Sequence, residues 1–226
     1  MAEIIVALDL PTTRHTLDLV DSIPGLSWVK VGPTLFLEGG PALVRQLKDR
    51  GLKVFLDLKW HDIPHQVAGA TTAAGALGVD LATVHCLGGV EMMRSAAAAA
   101  GLMRLVGVTV LTSHSPESYG SAVGRTDPLD LGSEVGRLAG QATEAGLGGV
   151  VASPLEISIV RSVVGPRGWI VVPGIRPAGV APDDQRRTAE PEAAVRAGAT
   201  HLVVGRPITQ AAEPRVVYQR LCDTVG

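Results

Sequence analysis

The stretch "VFLDLKWHDIPHQVAG", residues 54 to 69, sets Asp57, Lys59, His61, Asp62 and His65 close together behind an apolar run. Residues of these types can bind a divalent metal, close a salt-bridged loop, or move charge and protons in catalysis. Successive side chains of a strand alternate faces, so Asp57 and Lys59 share one face about 7 Å apart, with Phe55 on their side. Val54, Leu56 and Leu58 then take the other face. The metal reading is the weaker one. His61 and His65 stand four apart, as two ligands on one helical turn would, yet Pro64 pushes the residue before it out of helical geometry. The glutamate of an HExxH helix is missing, and Lys59 would repel a magnesium ion held by Asp57 and Asp62. Of the two histidines, His61 is the better candidate for an ordered role.

Lysine usage narrows the choice. The chain has four lysines, Lys30, Lys48, Lys53 and Lys59, against sixteen arginines. Lys48 and Lys53 fall in or beside a predicted surface helix, where solvation accounts for them. Lys30 lies in "WVKVG" on the face of Trp28, and Asp9 lies in "IIVALD" with Ile5 and Ala7. If these faces all turn inward, Asp9, Lys30, Asp57 and Lys59 meet as alternating charges. One pair alone would read as a structural salt bridge. Burying four charges costs far more than an apolar plug, which makes the set a better functional candidate than a structural one.

Such an array needs neighbouring strands to hold it. Strand candidates run at 4 to 9, 28 to 32, 53 to 59, 81 to 85, 105 to 112, 149 to 153, 169 to 174 and 201 to 205. Amphipathic or Ala-rich helical stretches separate them, several ending in glycine at the expected helix C-terminus: Gly51, Gly78, Gly101, Gly146 and Gly198. Eight strand–helix units of roughly 28 residues predict a single-domain α/β fold, a (β/α)8 TIM barrel over residues 1 to 226. A doubly wound sheet would carry a glycine-rich first turn, which "ALDLPTTRHT" lacks. Barrel chemistry gathers at the C-terminal strand ends. There stand Asp9, Lys30, Asp57, Lys59, His85, Thr112, Ser153, Arg176 and Arg206.

The last two strands lead into "VVPGIRPAG" and "VVGRPIT", the loops that most often hold phosphate in barrels. Gly205 permits close backbone approach, and the forks of Arg206 and Arg176 match phosphate oxygens. Between them "RPAGVAPDDQRR", residues 176 to 187, reads as a mobile lid with Gln185 near its end.

Composition excludes other classes. At 46% apolar and 19% charged residues the 226-residue chain can bury a sizeable core. A formal net charge of -2 argues against a nucleic-acid or membrane-surface partner. No apolar run approaches a membrane span, and "MAEIIVALDL" lacks the pattern of a signal peptide, so a cytoplasmic protein is expected. Cys86 and Cys222 are expected to be reduced.

Taken in order, "ALD", "VKVG", "DLKWHDIP", "VTVLTS", "PGIRP", "DDQRR" and "VVGRPIT" resemble the orotidine 5'-phosphate decarboxylase family of the bacterial type, from Asp9 to about Gln210. The resemblance implies a homodimeric barrel with no metal or organic cofactor. Such an enzyme converts orotidine 5'-monophosphate to uridine 5'-monophosphate and CO2 in pyrimidine synthesis. It implies that Asp9 and Lys30 hold ribose hydroxyls and the charge network, that Asp57 faces the substrate carboxylate, and that Lys59 protonates C6. Asp62, with Ile63 and Gln66 beside it, would reach the neighbouring subunit's site. Thr112 would contact the pyrimidine, and Pro173, Arg176, Gln185, Gly205 and Arg206 would form the rest of the nucleotide site. Family members commonly read DIPNT where this chain has Asp62-Ile63-Pro64-His65-Gln66, so an amide replaces a hydroxyl. The alternative is a magnesium-dependent sugar-phosphate decarboxylase or aldolase of the same superfamily. Those enzymes carry an acidic residue at the position of Lys30.

Overall fold

The computed structural model describes residues 2–127, 129–176 and 187–226. Among them eight strands, β1 Glu3–Ala7, β2 Trp28–Val31, β3 Lys53–Trp60, β4 Leu81–His85, β5 Arg104–Val108, β6 Gly149–Val151, β7 Trp169–Val172 and β8 His201–Val204, pair in parallel and in chain order. β8 returns to β1 and closes the barrel. The helices α1 Thr13–Asp21, α2 Pro33–Asp49, α3 Pro64–Ala76 and α4 Gly89–Ala99 each follow one of the first four strands. β5 is followed by two, α5 Pro116–Ala122 and α6 Leu131–Glu144. Then come α7 Ile157–Val164 after β6, α8 Pro191–Ala197 after β7, and α9 Arg206–Thr209 with α10 Pro214–Val225 after β8. The expected α/β barrel is the observed one, with an extra helix after β5 and after β8.

The strand alternation explains the two cores. Ile5, Ala7, Trp28, Phe55, Leu81, Val106, Val171 and Val203 pack together inside the barrel. Their neighbours Ile4, Val6, Val29, Val31, Val54 and Leu56 join the larger core between sheet and helices. β-branched residues suit strands covered on both sides. The five glycines read as helix ends all take positive φ, between 57° and 112°. At Gly149 a side chain is impossible for another reason as well, because a Cβ would meet the Trp169 carbonyl oxygen at 2.1 Å.

The strand ends differ from the sequence reading. β1 stops at Ala7, β5 at Val108, β6 at Val151 and β7 at Val172. Apolar character continues past these points because Val110, Ala152 and Ile175 are buried under the loops. Asp9, Thr112 and Ser153 are therefore loop residues, not strand residues.

At the opposite end, aromatic rings fill the barrel floor. Trp28, Trp169 and His201 start β2, β7 and β8, and the Trp169 and His201 ring centroids lie 4.1 Å apart. Lys53 and Arg104 sit over the Trp28 and Trp169 rings at 5.2 and 4.3 Å. Burial, then the nearby Lys53 and Arg104 charges, lower the His201 pKa from 6.5 to about 4. The unfolded chain thus binds a proton that the fold refuses. Stability is full above about pH 6.5 and falls as the pH drops towards 4, by up to about 3 kcal/mol from this group. Urea unfolding at pH 7 and pH 4.5 is expected to show a smaller acid loss in His201→Phe, which keeps an aromatic ring and removes the titration.

Candidate active site

At the C-terminal strand ends the barrel opens into a cavity of about 530 Å³. Ala7, Phe55, Val108, Val151, Val171 and Val203 form its apolar depth, and Asp9, Lys30, Asp57 and Lys59 stand along one side. Register puts them there. Lys30 is level with Ala7 on β1 and Phe55 on β3, two residues beyond the inward Trp28. Asp57 follows Phe55 by two, on the same face.

The four charges meet as an alternating chain. Lys30 Nζ lies 2.9 Å from Asp9 Oδ1 and 3.9 Å from Asp57 Oδ2. Lys59 Nζ donates to the same Asp57 Oδ2 at 2.9 Å. The side chains of Lys30 and Asp57 are 11% and 13% exposed, whereas Asp9 at 66% reaches solvent at the rim. The inner pair is therefore held away from water, where its mutual attraction is strongest.

Lys59 is not placed by regular strand geometry, as its spacing from Asp57 implies. Its φ is 50°, a left-handed conformation, and the β3–β4 register shifts between Leu56 and Trp60. For a residue other than glycine such a backbone costs about 1–3 kcal/mol unless its surroundings fix it. Thr83 of β4 does so. It is fully buried, accepts from the Lys59 N–H at 2.8 Å and donates from Oγ1 to Asp57 Oδ1 at 3.0 Å. One hydroxyl orients the carboxylate and the backbone of the lysine bound to it. Sequence reasoning missed Thr83. The signal was a polar residue at an inward position, two beyond Leu81, in the otherwise apolar "LATV".

Thr112, Pro173, Arg176, Gly205 and Arg206 line the same cavity, on the loops after β5, β7 and β8. Arg176 is buried, and Arg206 opens α9. A Cβ on Gly205 would find only Ala7 within 4 Å, its Cβ at 3.5 Å, so the protein itself leaves room there. Gln185 lies outside the described residues, as does most of the stretch read as a lid. Asp62, Ile63 and Gln66 do not line this cavity. Asp62 and Ile63 are exposed on the turn into α3 and Gln66 in its first helical turn, with Asp62 Oδ1 accepting from the Ile63 N–H at 2.6 Å.

The histidines also separate. His61 precedes α3 and stacks on His85 with ring centroids 5.5 Å apart, while His65 is exposed in the first helical turn. Burial, then His61 and Lys59, lower the His85 pKa to about 4, so its ring is neutral beside the lysine at neutral pH. Behind the opposite wall, a buried Arg187–Glu156 pair had also gone unnoticed in the sequence.

A closed parallel barrel with a charged cavity at this end is the architecture of a (β/α)8 barrel enzyme. Comparison with known proteins narrows the class. The sequence model described as "Orotidine 5'-phosphate decarboxylase / HUMPS family" matches residues 2–221. The orotidine 5'-phosphate decarboxylase of Nitrosospira multiformis is 47% identical over 96% of this chain and 91% of its own. That of Moorella thermoacetica is 48% identical over 94% and 87%. The crystal structure of orotidine 5'-phosphate decarboxylase from Lactobacillus acidophilus superposes with a TM-score of 0.88 at 34% identity, over 100% of both chains. The chain belongs to the orotidine 5'-phosphate decarboxylase / HUMPS family.

If Thr83 fixes the array, Thr83→Val keeps the shape and frees the Asp57 carboxylate. Turnover is expected to fall about 10- to 100-fold, the scale of a small misplacement of reacting groups, with partial recovery in Thr83→Ser. Steady-state kinetics of the two variants checks this.

Proposed function

We propose that this chain is a carboxy-lyase that decarboxylates orotidine 5'-monophosphate to uridine 5'-monophosphate in pyrimidine biosynthesis. One observation carries the reading beyond the family: an ammonium held against a carboxylate within a cavity that has arginines on its far side. The C6–carboxylate bond breaks, its electron pair stays on C6, CO2 leaves, and Lys59 Nζ gives a proton to C6. Lys59 then regains a proton from solvent.

Each charge has a part in this step. Decarboxylation leaves a carbanion that the ring hardly delocalises, so a cation must already stand where the charge develops. Asp57 fixes the Lys59 ammonium there, which requires no reorganisation during the reaction. Asp57 also meets the substrate carboxylate, a like-charge contact relieved as CO2 departs. Lys30 and Asp9 hold the ribose hydroxyls and complete the network. Thr112 faces the pyrimidine, Arg176, Gln185, Gly205 and Arg206 hold the phosphate end, and Pro173 completes the substrate site. Binding energy from that remote end can serve the chemical step as well as affinity.

Asp62, Ile63 and Gln66 belong to a neighbouring subunit's site in this reading. Their exposure, and their absence from the lining of their own cavity, support a homodimer in which Asp62 extends the alternating array across the interface. Gln66 offers an amide N–H to a ribose oxygen. Lys30 favours the metal-free reading over the magnesium-dependent alternative, because its ammonium lies between Asp9 and Asp57. Among the described residues no helix is long and apolar enough to cross a membrane, and we place the reaction in the cytoplasm.

Loss of orotate absorbance on adding orotidine 5'-monophosphate tests the function. Wild type is expected to turn over with EDTA present, and Lys59→Ala to lose at least about 10³-fold in kcat. No turnover by wild type would defeat the reading. The shared site has its own test. Asp62→Ala and Lys59→Ala chains, each inactive alone, are expected to regain about a quarter of wild-type activity when mixed after reversible dissociation, since random pairing gives half hybrids with one intact site each.

A further inference from the structure

Arg187 is a buried cation that the charge array does not use and that does not line the cavity. It stands on the connection between β7 and α8. Its Nη1 donates to Glu156 Oε1 at 2.7 Å, and both side chains are under 10% exposed. Glu156 ends the short 3-10 turn after β6. Arg187 Nη2 donates to the carbonyls of Leu111 at 3.0 Å and Val110 at 3.4 Å, on the loop after β5. One guanidinium thus fastens the loops that follow three consecutive strands.

Both neighbours of this junction are walls of the cavity. Thr112 and Ser113, next after Leu111, line it on one side. On the other, Ile175 pairs with Ala189, two residues past Arg187, and the Arg176 N–H donates to the Ala189 carbonyl at 3.0 Å. The planar fork suits the task, because a lysine ammonium cannot hold the carboxylate and both carbonyls in one fixed geometry. Stability alone explains the pair poorly. A buried ion pair is often no better than apolar side chains of similar volume. Here, among the described residues, Glu156 Oε2 and Arg187 Nε also lack partners.

We propose that Arg187 is a positioning residue that couples the phosphate side of the cavity to its base side. It sets the Thr112 wall relative to the Pro173–Arg176 wall, so that grip on the phosphate places the base for reaction. This rests on the cavity being the orotidine 5'-monophosphate site.

The test compares wild type with E156L/R187M, which removes the buried pair without leaving a lone charge, and with R187K. The kcat and KM are measured on orotidine 5'-monophosphate and on orotidine, which lacks the phosphate, and folding is checked by thermal melts. The proposal expects kcat on the nucleotide to fall about tenfold or more in the double variant, with kcat/KM on orotidine nearly unchanged. R187K should move the same way by a smaller factor. Wild-type kinetics in a folded double variant, or equal losses on both substrates, would overturn it. Should the double variant fail to fold, R187K decides by the same comparison. A wild type without turnover on the nucleotide would sink the functional reading, and this proposal with it, whereas variants that match an active wild type sink this proposal alone.

Discussion

The site depends on one carboxylate held between two ammonium groups. Asp57 accepts from Lys59 at 2.9 Å, faces Lys30 at 3.9 Å, and takes a hydrogen bond from Thr83 on its other oxygen. Remove its charge and Lys59 loses its carboxylate partner, while Lys30, 11% exposed, is left with Asp9 alone. Two neighbouring cations then repel with less charge to offset them. Remove Thr83 and the carboxylate turns, while the left-handed backbone at Lys59 loses the side chain that anchors its N–H. The strain of β3 and the polarity of β4 are therefore two halves of one device.

The barrel supplies what such a device needs. Its strands bring Lys30, Asp57 and Thr83, far apart in the chain, to adjacent positions on one closed sheet, and the loop after β1 adds Asp9. The apolar depth beneath them and the aromatic floor at the other end keep the sheet packed without placing further charge inside. Loops after β5, β7 and β8 furnish the opposing wall, where Thr112, Arg176 and Arg206 stand. Rigid elements carry most of the charge array, and loops carry the residues that line the rest of the cavity.

Much of this was legible in the sequence because strand side chains repeat with period two. That rule, applied to "WVKV" and "VFLDLK", turned Trp28, Lys30, Phe55 and Asp57 to one face, as the interior cluster and the cavity have them. It overshot at strand ends, since Val110 and Ile175 are buried by loops and so look like strand. It could not foresee the register shift at Lys59, which breaks the period it assumes. Thr83 and the Arg187–Glu156 pair escaped for a different cause. Their partners lie 24 to 77 positions away, and nothing local marks a threonine or an arginine as paired across the barrel. The turn bearing Asp62 is the converse case: its sequence is informative, yet its side chains do not line the cavity.

Negative charge at position 57, not merely its shape, holds the Lys59 ammonium at the cavity. Asp57→Asn tests it most directly, because the amide keeps the size and can still accept from Thr83. Single-turnover decarboxylation of orotidine 5'-monophosphate by this variant should be slower than wild type by about 10³-fold or more, in a protein that melts as a folded barrel. A folded Asp57→Asn enzyme with a wild-type single-turnover rate would contradict the account.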